Sequence, residues 1–172
     1  SLSLDRTTNW VEGEYKIFFE SKSNESLKSL NPSLKFIKLD ADSYPSVSID
    51  SRLMSLNYNN LFLRNWYSGP DRILSEDRVI LGIEHQNLGL QNDMNLILLF
   101  GKAFFLDKGY SLDGKNKKNS PLIIEFKHRL KGNFFSNGML EIDSDFNKVF
   151  SSNFGLMYEH GESKRVELRS IY

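Results

Sequence analysis

The chain has 172 residues, 40% of them hydrophobic and 13% aromatic, enough for one domain with a sizeable core. Its 22 basic and 22 acidic side chains cancel and are spread along its length, which excludes a nucleic-acid binder driven by a dense basic field. This stretch has no cysteine for disulfides or thiolate metal sites, and no apolar run nears the roughly 20 residues of a membrane helix.

The first ten residues, SLSLDRTTNW, are neither a signal peptide nor a targeting motif. They read as the middle of a strand, so the chain is expected to be a piece of a longer one. From Trp10 to Glu20 the period is two: Val11, Gly13, Tyr15, Ile17 and Phe19 against Glu12, Glu14, Lys16, Phe18 and Glu20. SKSNESLKSLNPS then reads as a polar turn. Residues 46–53 set Val47, Ile49 and Leu53 against Ser46, Ser48, Asp50 and Arg52. RNWYSGPDRI, at 64–73, reads as a strand end and a turn. QNLGLQND is polar, and 94–106 form a strand apolar on both faces in its first half. Beyond the polar DKGYSLDGKNKKNS, segment 121–131 sets Leu122, Ile124, Phe126, His128 and Leu130 against Ile123, Glu125, Lys127, Arg129 and Lys131.

KGNFFSNG and DSDFN read as turns. Between them and EHGESK, segment 148–159 sets Phe150, Phe154, Leu156 and Tyr158 against Ser151, Asn153, Gly155 and Glu159. The last stretch sets Val166, Leu168 and Tyr172 against Arg165, Glu167 and Arg169. Gly, Asn, Asp and Ser supply the geometry of the intervening turns. The pattern predicts an all-β antiparallel meander of about eight or nine strands, with no helix.

Many polar faces carry full charges. On a soluble sandwich or lipocalin-like barrel such a face is solvent-exposed and the apolar phase encloses a core or a small apolar ligand. In a wide membrane barrel the charges line a watery lumen and the apolar phase meets lipid. Alternation alone leaves both open.

The run LFLRNWYSGPDRILSEDRVILGIEHQ resembles the barrel domain of the LptD family, where a strand ends in a phrase like LFRDNRFSGLDRI. Leu61, Phe62, Arg64, Asn65, Tyr67, Ser68, Gly69, Asp71, Arg72 and Ile73 stand at matching positions, followed by Arg78, Val79, Leu81 and Gly82. FGKAFFLDKGY and the hairpins from SPL at 120–122 onward follow the family's order. The resemblance covers roughly residues 59–172, with weaker likeness upstream. Trp66 and Tyr67 stand where the family usually has Arg or Thr and Phe, Pro70 replaces an apolar residue, and the family's further strands between the equivalents of residues 53 and 61 are shortened or missing.

The resemblance implies an arc of a large transmembrane β-barrel of about 26 strands in the Gram-negative outer membrane, without its first and last strands. It also implies a function: passage of lipopolysaccharide through the barrel into the outer leaflet, with no enzymatic activity and no cofactor. The implied partners are lipopolysaccharide, outer-membrane lipid, an LptE-like lipoprotein plug, and a periplasmic LptA-like bridge reached through an N-terminal domain. On this reading Glu12, Glu14, Glu125, Lys127 and Arg129 face the lumen. Arg64, Asn65, Tyr67, Ser68, Gly69, Asp71 and Arg72 build a structural loop, with Trp66 and Tyr67 at the membrane–water boundary and Asp71 paired with Arg64 or Arg72.

Other chemistry fits less well. His85, His128 and His160 lack a G-x-S-x-G partner motif, and His128 falls on the apolar phase, so an outer-membrane acyl hydrolase is the weaker reading. Neither H-E-x-x-H nor paired histidine spacing is present for a metal. Gly114, Lys115, Lys117 and Lys118 lack the nucleotide-binding glycine frame. They read as a solvated loop or as a contact for phosphorylated lipopolysaccharide.

Overall fold

The computed structural model describes residues 8–41, 53–68, 76–90, 94–107, 110–112, 115–130, 133–143, 145–160 and 164–172. In chain order the elements are β1 (Thr8–Lys16), β2 (Phe19–Lys22), β3 (Ser26–Ala41), α1 (Tyr58–Leu61), β4 (Arg78–Gly89), β5 (Asn95–Phe105), β6 (Tyr110–Leu112), β7 (Lys115–Lys117), β8 (Leu122–Arg129), β9 (Phe134–Ile142), β10 (Val149–His160) and β11 (Lys164–Ile171). Nine strands form one antiparallel sheet in the order β1-β3-β4-β5-β8-β9-β10-β11, with β2 also on β3; β6 and β7 make a separate hairpin. The sheet is an open meander, with β1 and β11 at its two ends.

Alternation sorts the side chains onto two unlike faces. One face is mainly apolar and, among the described residues, uncovered. On it Leu34 pairs with Leu81, Ile83 with Phe100, Phe100 with Ile124, Ile124 with Leu140, Leu98 with Phe126 and Leu156 with Leu168, while Phe36 and Phe154 lie on the same face. Phe154 remains 40% exposed and Leu156 44%. Phe126 and Phe154, their ring centroids 6.2 Å apart, lean over Gly138, where an added Cβ would meet both rings within 2.7 Å. The expected oily phase of Ile124, Phe126, Phe154 and Leu156 therefore points away from the core. A lipocalin-like barrel needs that phase enclosed.

Several boundaries differ from the sequence reading. The stretch 21–33, whose composition predicts a polar turn, contains the end of β2 and the first half of β3. Pro32 sits inside β3, opposite the break between β1 and β2 at Ile17 and Phe18. Its carbonyl accepts the Ile17 N–H at 3.0 Å, so its protonless nitrogen faces the same interrupted edge and costs the ladder little. β4 reaches Gly89 and β9 begins at Phe134, both inside expected turns. A bulge between Val149 and Ser151 takes Phe150 out of the oily row, and it lines a cavity with Leu53 and Leu56. Turn residue Phe146 adopts φ 59°. The strand expected at 46–53 lies outside the described residues except Leu53, which bridges Tyr67.

Candidate functional site

The second face of the sheet is covered. Segment 53–68, which includes the helical turn α1 absent from the sequence reading, lies across it. The core is the contact between them: Leu56, Leu61 and Trp66 pack on Ile37, Leu39, Ile80, Ala103, Phe105 and Ile123. The backbone comes this close because Gly82 and Gly101 pair directly across β4 and β5. A Cβ on Gly82 would meet Phe62 at 2.6 Å and the Tyr58 hydroxyl at 2.8 Å; one on Gly101 would meet Leu61 at 2.7 Å.

Asn57 caps the turn. Its side chain accepts the Asn60 N–H at 2.8 Å, and the Asn60 side chain accepts the Asn57 N–H at 2.6 Å. Carboxylates from the sheet then hold the segment down. Glu125 accepts the Tyr58 N–H at 2.5 Å. Arg64 grips Glu12 with two N–H groups at 2.9 and 3.0 Å and stacks 3.4 Å from the Trp10 ring. Lys35 stands 3.5 Å from the same Glu12 and 3.8 Å from Glu14. Glu141 lies against Ser151 and the Leu56 backbone. The Tyr58 phenol is pushed above its ordinary range, first by burial.

Trp66 is fully buried. Its Nε1 donates to the Leu61 carbonyl at 3.1 Å, and its ring meets Phe105 edge-on at 5.5 Å. The Arg78 guanidinium, also fully buried, lies 5.0 Å from the Trp66 ring. It donates to the carbonyls of Leu63 and Arg64, the latter at 2.6 Å. The expectation that Trp66 marks a membrane–water boundary is therefore corrected: the motif folds back onto the sheet, where its indole fills the core.

Glu12, Glu14, Glu125, Lys127 and Arg129 all project from the covered face, as their register with Ile37, Lys35, Leu99, Ile97 and Asn95 requires. Of the family-motif residues, Arg64 joins Glu12, Asn65 exchanges two 3.3 Å hydrogen bonds with the Tyr67 backbone, and Ser68 follows. Gly69, Asp71 and Arg72 lie outside the described residues, and so does the expected pairing of Asp71. Lys35 and Glu141 escaped the sequence reading; Arg78 and Gly82 entered it only as positions of the family pattern, without the anchor on 63–64 or the pairing with Gly101 that they make here. The glycines were the available signal, since glycine inside a strand marks close approach of another backbone.

Beside α1 the covered face opens into a cleft of about 580 Å³ over β8–β10, and a second of about 590 Å³ lies between residues 53–56 and the β10 bulge. No helix among the described residues is long and apolar enough to cross a membrane.

An open antiparallel sheet with one oily bare face and one ionic covered face is the pattern of a membrane-barrel wall. The family model for LPS transport system D matches residues 3–172, so the chain belongs to the LptD family. It is 25% identical over 139 residues to LPS-assembly protein LptD of Vibrio cholerae serotype O1, covering 76% of this chain and 18% of that protein. With its counterpart in Pseudoalteromonas atlantica it shares 21% over 175 residues, 96% of this chain and 23% of the relative. For Pseudomonas syringae pv. tomato the figures are 26% over 138 residues, 74% and 14%. The chain thus spans less than a quarter of these relatives, and the match extends well upstream of the quoted motif.

Proposed function

We propose that this chain forms an arc of an outer-membrane barrel that moves lipopolysaccharide through its interior and delivers it to the outer leaflet. The observation that carries this reading is the division of the sheet: the oily rows are bare, and the charged rows share a face with segment 53–68. In hydrocarbon, every strand N–H and C=O must find a neighbouring strand, so the ends at β1 and β11 call for further strands. The charged face then becomes a lumen wall, wet enough for a sugar chain and suited to an LptE-like lipoprotein. An LptA-like periplasmic bridge would join elsewhere in the full protein. The relatives named LPS-assembly protein support the same substrate.

Connection lengths support an orientation. Segments 42–77, 106–121 and 143–148 join strands at one end of the sheet; 90–94, 130–133 and 161–163 join them at the other. Outer-membrane barrels keep short turns in the periplasm and longer loops outside. Segment 53–68 therefore enters the lumen from the cell exterior.

Depleting the full-length protein in its own cells tests the function. Newly made lipopolysaccharide should stop reaching a membrane-impermeant surface label and should accumulate inside. Undiminished surface labelling under depletion would contradict the proposal.

A further inference from the structure

We infer that the cleft beside α1 is a saccharide-binding site for a hydroxyl-rich oligosaccharide bearing an anionic group. This deepens the lumen reading above and rests on it. The wall of the cleft is set by register. Asn95 pairs with Arg129 across β5 and β8, Lys127 with Asn137 across β8 and β9, and Asn153 with Met139 across β10 and β9. Asn59 enters from α1. All six polar side chains line the same cleft of about 580 Å³.

Each asparagine amide offers two donors and an acceptor, the complement of vicinal hydroxyls. Among the described residues, the side chains of Asn59, Asn95, Asn137 and Asn153 make no hydrogen bond to the protein. This sets them apart from Asn57 and Asn60, which spend their amides on capping α1. Gly155 pairs with Asn137, and a Cβ there would come within 2.9 Å of its Oδ1, so the glycine leaves the amide room. Met139, Met157 and Phe135 also line the cleft and provide apolar surface for the C–H face of a sugar ring. Lys127 and Arg129 suit a phosphate or carboxylate on that sugar; Arg129 lies 5.4 Å from the Phe135 ring centroid. A neutral glycan would leave both cations unused, and a bare anion would leave the amides unused.

The test uses the full-length protein in detergent and the lipid-free, phosphorylated core oligosaccharide released from lipopolysaccharide by mild acid. Maltohexaose and inorganic phosphate serve as comparison probes, and calorimetry gives the affinities. Wild type should bind the phosphorylated oligosaccharide best. Asn137→Leu with Asn153→Leu should weaken it about tenfold, as expected for two lost hydrogen bonds. Lys127→Met should weaken the phosphorylated probe and spare maltohexaose. Heat-modifiable migration on gels reports that each barrel is folded, and Asn59→Ala, on the exposed side of α1, substitutes if the strand variants misfold. Unchanged affinity in folded variants, or phosphate alone binding as tightly as the oligosaccharide, would overturn the site. If depletion still halts surface delivery in that case, the transport reading survives and only the saccharide site falls.

Discussion

Gly82 and Gly101 face each other across β4 and β5, and the space their missing side chains leave is filled by Tyr58, Leu61 and Phe62. That pair decides how deeply segment 53–68 can sit. Gly101→Val should push Leu61 off the sheet and destabilise the packed segment by about 1–3 kcal/mol. The change would be read as a lower urea midpoint and faster protease nicking within 53–68.

Trp66 and Arg78 form the other anchor. Trp66→Ala should cost about 3–5 kcal/mol, because the indole is enclosed between Phe105 and the guanidinium. Arg78→Met leaves two carbonyls without a charged donor and should cost about 2–3 kcal/mol. The two losses should be non-additive in a double-mutant cycle, since both side chains hold the 61–64 backbone.

What was legible in the sequence follows from this geometry. β8 is plain because Leu122, Ile124 and Phe126 alternate strictly with Glu125, Lys127 and Arg129, so one period declares both faces. β3 was hidden. Its covered-face residues Ser29, Asn31 and Ser33 are turn-formers by type, and Pro32 between them reads as a breaker unless the gap in the neighbouring edge is known. Segment 53–68 was hidden for a different reason: nothing local tells a loop that extends into solvent from one that folds back. Only Gly82 and Gly101, paired across the neighbouring strands β4 and β5, pointed to it. That Glu12, Glu14, Glu125, Lys127 and Arg129 share one face was readable from alternation alone, whereas the partners of Glu12 and Glu125 depended on the fold-back.

The Glu12–Arg64 contact is half-exposed, and its strength should follow salt. Arg64→Ala or Glu12→Gln should raise protease access to segment 53–68 at low ionic strength. The difference from wild type should shrink near about 1 M salt, where the screening length falls to about 3 Å. A salt-independent difference would assign the effect to the Trp10 stack instead.

The two faces should tolerate charge unequally. Ile124→Arg, in the middle of the bare rows, should destabilise the protein in a bilayer by about 2–4 kcal/mol. An arginine in place of Val166, nearer the end of β11, should cost less. The measurement is reversible urea unfolding in vesicles, followed by tryptophan fluorescence.

The most direct test of the account is spin-label accessibility at four consecutive positions of β8. Cysteines introduced singly at 124, 125, 126 and 127 of the full-length protein in bilayers would be labelled and relaxed against oxygen and against a water-soluble nickel chelate. The account predicts oxygen-rich, chelate-poor signals at Ile124 and Phe126, and the reverse at Glu125 and Lys127. Equal chelate access at all four positions, or oxygen enrichment at 125 and 127, would contradict it.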